Sequence, residues 1–88
     1  MSDKDTLIEF PCDFPIKAIG KNHVQFVDDV RASAKKYYPD IQDNAIQSQI
    51  SSNGNFISVT LTVYAEDKAT LDKLYTELSQ LKDVKMVL

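Results

Sequence analysis

The chain has 88 residues, with 13 acidic against 10 basic side chains and a formal net charge of -3. That length builds one small domain able to bury roughly 60–70% of the unfolded chain's surface, and a 43% hydrophobic, 26% charged composition is that of a folded chain. An acidic balance without a dense Lys/Arg cluster argues against nucleic acid as a partner, and no apolar run approaches the ~20 residues that cross a bilayer, which argues against a membrane.

Residues 1–13 read as an N-terminal arm, partly disordered. Met1-Ser2-Asp3-Lys4-Asp5 offers no apolar signal region, and the single Cys12 excludes an internal disulfide, so a reducing cytoplasm is the expected compartment. Pro11 and Pro15 are expected to interrupt regular pairing. From Phe14 to Gly20 the pattern alternates, with Ile16 and Ala18 on one side and Lys17 and Ile19 on the other, and predicts a first strand ended by Gly20.

A helix should follow, with Asn22 as N-cap and Gln25 completing a capping box. Val24, Val27, Val30, Ala34 and Tyr37 form its apolar stripe, widened by Phe26, and Arg31 is expected to meet Asp28 one turn earlier. Pro39 forbids continuation past Tyr38, leaving 40–44 as a connector before a second strand over 45–52. Asn53-Gly54 signals a hairpin, both residues tolerating the left-handed conformations of a type I′ turn.

The longest alternating segment follows the turn. Ile57, Val59, Leu61, Val63 and Ala65 fall on one face, while Phe56, Ser58, Thr60, Thr62 and Tyr64 fall on the other, so one face is core and one is wet. Asp67 then caps a second helix with the stripe Leu71, Leu74, Tyr75, Leu78 and Leu81, and 84–88 makes a last strand. The order βαββαβ folds most simply as a ferredoxin-like α+β sandwich over residues 14–88. Its four-stranded antiparallel sheet has the first and third strands central and both helices on one face.

No catalytic constellation emerges. His23 is the only histidine and is expected to face solvent or cap the helix; Ser51, Ser52 and Ser58 lack a histidine base; neither Cys12 nor His23 has the companions a metal site needs. The carboxylate pairs 28–29, 40/43 and 66–67 read as solvated. The expectation is a regulatory or interaction domain without catalysis, metal or cofactor, with small-molecule sensing as its chief form and capture of a protein partner as the rival. Two features remain as candidate sites. One is the turn Gly20, Lys21, Asn22 and His23, where amides at a helix start could receive an anionic ligand, or which is simply a strand-to-helix turn. The other is the uncovered face of Phe56, Ser58, Thr60, Thr62 and Tyr64 with its exposed edge strand, open to a protein partner or a second copy of the chain, or simply solvated.

Several motifs in order, namely Leu7-Ile8-Glu9-Phe10-Pro11, Phe14-Pro15-Ile16-Lys17-Ala18-Ile19-Gly20, the run from Ser51 to Val59, Leu74-Tyr75 with Glu77-Leu78, and Val84-Lys85-Met86-Val87-Leu88, resemble the YbeD-like family of small bacterial proteins. Where family members carry Tyr in the turn motif, this chain has Phe56. The resemblance implies a ferredoxin-like fold similar to ACT regulatory domains, and no established activity. By that analogy an effector would bind near Gly20 to His23 between copies of the domain; a suggested link to lipoate metabolism also travels with the family.

Overall fold

The computed structural model describes residues 11–88. Leu7 to Phe10 and most of the expected arm lie outside the described residues. Strand β1 (Cys12–Lys21) is followed by helix α1 (Val24–Tyr37), strands β2 (Ile46–Ile50) and β3 (Phe56–Ala65), helix α2 (Lys68–Ser79) and strand β4 (Val84–Val87). The sheet order is β2-β3-β1-β4, with every neighbour antiparallel. This is the expected α+β sandwich with β1 and β3 in the centre.

β3 carries the alternation on which the core is built. Ile57, Val59, Leu61, Val63 and Ala65 are all buried and meet Ile16 and Ala18 of β1, Phe26, Val30 and Ala34 of α1, and Leu71, Leu74 and Leu78 of α2. Tyr75, half-buried at the rim, stacks edge-on against Phe14 at 6.4 Å and donates from its hydroxyl to the Leu88 carbonyl.

β1 begins at Cys12, ahead of the expected strand start at Phe14, and runs through Pro15, which pairs with Thr62. The proline does not interrupt the sheet, because Lys17 exchanges both main-chain bonds with Leu88 and the alternation then points the Pro15 nitrogen to the same side, past the end of β4.

The expected capping box does not form, and the cap moves one residue on. Asn22 donates its side-chain amide to the Gly54 carbonyl at 2.9 Å, tying the turn to the β2–β3 loop, and His23 becomes the N-cap, its Nδ1 accepting from the Gln25 N–H. The stripe shifts with it: Val24 is 78% exposed, and the buried line runs through Phe26, Val30, Ser33 and Ala34.

The β2–β3 connection spans 51–55 and is not a two-residue type I′ turn, because only Gly54 has positive φ, +79°. Side chains make the wider loop satisfiable: Ser51 Oγ accepts from the Phe56 N–H, and Asn53 Oδ1 accepts from the Asn55 N–H.

Candidate functional site

Three regions of the surface are candidate sites, and the first is the turn after β1. Gly20 is buried against Phe26 and the last strand; a Cβ there would lie 2.6 Å from both the Asp83 carbonyl oxygen and the Phe26 ring. Its glycine is thus required by packing. The Lys21 N–H donates to the Asp83 carbonyl, the Asn22 N–H to the Asn55 carbonyl, and the Phe26 N–H to the His23 carbonyl. With Gln25 bonded to the His23 ring, these four amides are spent within the chain, while the side chains of Lys21, Asn22 and His23 are exposed. The hairpin loop and Phe56 lie at this same end of the domain, joined to it through Asn22.

The second region is the sheet face that neither α1 nor α2 covers. Phe56, Ser58 and Thr60 are half-buried, Thr62 is exposed, and Tyr64 is 56% exposed. Across the β1–β3 pair, Lys21 stands beside Phe56, Lys17 beside Thr60 and Asp13 beside Tyr64. Lys85 of β4 sets its ammonium 5.4 Å from the centre of the Phe56 ring, and exposed Met86 pairs with Ile19. The face is therefore graded: lysines gather around an aromatic at one end, threonines occupy the middle, and Tyr64 with Asp13 closes the other.

The third region was not singled out from sequence. β2 leaves β3 at the Ile46–Leu61 pair, whereas β3 continues to Ala65. Beyond that point the chain after α1, Pro39 to Ala45, the end of β3 and the start of α2 enclose a cleft of about 400 Å³. Tyr37, Tyr38 and Tyr64 contribute rings, and Asp13, Asp40, Glu66 and Asp67 contribute carboxyl groups, and among the described residues no basic side chain lines it. Asp67 accepts the Thr70 N–H at 2.7 Å as the α2 cap, and that bond holds its carboxyl below the usual range. The Tyr38 hydroxyl is buried with no hydrogen-bond partner among the described residues, and burial, reinforced by the Asp67 charge, raises its pKa.

Other candidates resolve into structural roles. His23 is the α1 cap. Arg31 does not meet Asp28: its guanidinium lies 3.4 Å from Asp43, which Lys35 also approaches at 3.3 Å, so the carboxylate after α1 gathers both cations. Glu77 of α2 accepts from Ser33 (2.9 Å), Lys36 (3.0 Å) and Tyr37 (3.0 Å) of α1. The Lys36 hydrogen bond is the main reason its carboxyl titrates below the usual glutamate range. This clamp couples residues forty or more apart, and its one sequence signal is polar Ser33 on the buried stripe. Among the described residues no group of three or more His, Cys, Asp or Glu is placed to hold a metal ion, and no helix is long and apolar enough to cross a membrane.

Comparison with solved structures gives the fold its neighbours. The solution structure of protein HP0495 from H. pylori superposes with a TM-score of 0.70 at 17% identity, covering 92% of this chain and 85% of that one. The crystal structure of the ACT domain from GTP pyrophosphokinase of Chlorobium tepidum matches with a TM-score of 0.64 at 16% identity, covering 88% and 97%. Sequence relatives are nearer. A UPF0250 protein of Nitrosomonas europaea is 40% identical over 85 residues, 97% of this chain and 98% of the relative, and one of Paraburkholderia phytofirmans is 36% identical over 87 residues, 99% and 98%. The family model described as "Protein of unknown function (DUF493)" matches residues 5–88. The chain belongs to this DUF493, or UPF0250, family of small bacterial proteins, the YbeD-like family, with an ACT-like fold.

Proposed function

We propose that this chain is a regulatory interaction domain, without catalysis of its own, that captures a partner protein through the open sheet face. The observation that carries this reading is the graded face itself: both central strands present it, neither α1 nor α2 covers it, and it sets Phe56 with lysines at one end against Tyr64 with a carboxylate at the other. Aromatic side chains are enriched at protein interfaces, and the charge gradient favours a partner with the reverse order. A second copy turned about a two-fold axis has that order, because each lysine end would then meet the other's acidic end. Thr60→Arg and Tyr64→Ala should abolish partner capture while leaving the circular-dichroism spectrum and melting temperature intact. Retained capture in both variants removes this reading.

The second reading is small-molecule sensing at Gly20, Lys21, Asn22 and His23, favoured by the likeness in fold to an ACT domain. Because four amides of this turn are already bonded, the exposed Lys21 and His23 side chains, with a second copy, would have to supply the contacts. An amide-resolved NMR titration with amino acids, lipoate and other small metabolites tests it. Saturable shifts centred on residues 20–23 would support a sensor, and their absence would leave the adaptor.

A further inference from the structure

The cleft beyond the end of β2 has three properties that converge on one occupant. The first is main-chain geometry. Ser51 N–H and Phe56 C=O are bonded across the β2–β3 loop, so the main-chain groups of Phe56 point to the β2 side, as do those of every second residue after it. By that alternation Thr62 and Tyr64 direct their main-chain groups toward the edge that β2 leaves at Ile46; the Ile46–Leu61 pair draws the Thr62 N–H to the Ala45 carbonyl, so Tyr64 is the residue whose N–H and C=O both lie beyond the ladder, along the cleft. An unpaired length of central strand is a template for an added strand.

Charge is the second property. Asp13, Asp40 and Glu66 line the cleft without an ion pair among the described residues, and no cation lines it. The third is aromatic lining, with Tyr37, Tyr38 and Tyr64 in the wall and a buried Tyr38 hydroxyl lacking a partner among the described residues. An ammonium or guanidinium is attracted by both ring faces and carboxylates. The molecule already holds one cation this way: the Lys36 ammonium lies 3.0 Å from Glu77 and 5.4 Å from the centre of the Tyr37 ring. The volume of about 400 Å³ suits a side chain with its flanking main chain.

We infer that this cleft receives an extended basic segment of a partner protein, whose main chain pairs with Tyr64 at the end of β3 and whose lysine or arginine lies between the carboxylates and the tyrosine rings. This goes beyond capture by the open face, with which it shares only Asp13, Thr62 and Tyr64.

The test is an amide-resolved NMR titration of the full chain with two synthetic peptides, acetyl-Val-Arg-Val-amide and the same peptide with neutral citrulline for arginine. The arginine peptide should give saturable shifts at Thr62, Tyr64, Glu66 and Thr70 and bind at least about tenfold more tightly than the citrulline peptide. Asp13→Asn and Glu66→Gln, both at exposed positions, should each weaken it by about two- to fivefold. Equal binding of the two peptides, shifts centred away from these residues, or no binding overturns the inference. Thr60→Arg separates the two proposals: it should end open-face capture and leave the arginine peptide bound, and if it ends peptide binding too, the peptide sits on the face and the cleft assignment is wrong.

Discussion

Replacing Gly20 with alanine adds a single carbon where the structure has no room. Its Cβ would stand 2.6 Å from the Asp83 carbonyl oxygen and 2.6–2.7 Å from two atoms of the Phe26 ring, which is itself fully buried. Overpacking of a filled core costs about 1–3 kcal/mol. Since the Asp83 carbonyl also accepts the Lys21 N–H, displacing it weakens a β1–β4 hydrogen bond worth roughly another 1 kcal/mol. The sum is on the order of 2–4 kcal/mol, or a fall in melting temperature of roughly 10–25 °C for a domain of this size. Urea denaturation of wild type and Gly20→Ala at matched m-value measures it. In a Phe26→Leu background the added cost should shrink, because two of the three close atoms belong to the lost ring, though the carbonyl remains. Gly54→Ala is the contrast: nothing lies within 4 Å of its Cβ, and its cost of about 1–2 kcal/mol comes from positive φ alone. A Gly20→Ala protein within about 0.5 kcal/mol of wild type would refute the packing argument. The same geometry makes Gly20→Val a poor probe of ligand binding, since it would damage the fold whether or not the turn holds a ligand.

Glu77→Ala should destabilise the domain by about 1–2 kcal/mol, because the buried Ser33 hydroxyl loses its acceptor; adding Ser33→Ala should recover most of that loss in chemical denaturation. The clamp also sets a pH dependence. The folded-state pKa of Glu77 is depressed, so its contribution is complete above the unfolded value, near 4.5, and is lost as pH falls through the lower folded value. Melting temperatures between pH 6 and pH 3 should therefore fall more steeply for wild type than for Glu77→Gln. Val24→Glu should leave stability unchanged or raise it by a few tenths of a kcal/mol in thermal melts, since the side chain is exposed and an acid in the first turn favours the helix dipole.

What the sequence made legible followed from periodicity. The alternation from Phe56 to Ala65 identified each buried residue of β3, and the Leu71, Leu74, Leu78 spacing did the same for α2, because both elements face a single apolar layer. The start of α1 was one residue out. Asn22 is a better cap by propensity than His23, but its amide is engaged by the Gly54 carbonyl, a tertiary contact 32 residues away. That displacement also misassigned Val24 to the core. The hairpin loop is wider than Asn53-Gly54 suggests because Ser51 and Asn53 side chains replace main-chain partners. Of the candidate sites, the open face follows from alternation alone, whereas the cleft depends on β2 ending before β3, a difference in strand length that no local pattern in 45–52 records.

The most direct test of an open-face interaction domain is site-specific photo-crosslinking in bacterial cells, with a photoreactive phenylalanine analogue placed at Thr60 or, as control, at Lys73 on the exposed side of α2. Capture through the sheet predicts a discrete adduct from Thr60 and none from Lys73, its mass distinguishing a second copy of the chain from a different protein. Adducts from Lys73 alone, equal adducts from both positions, or none from either would contradict the account.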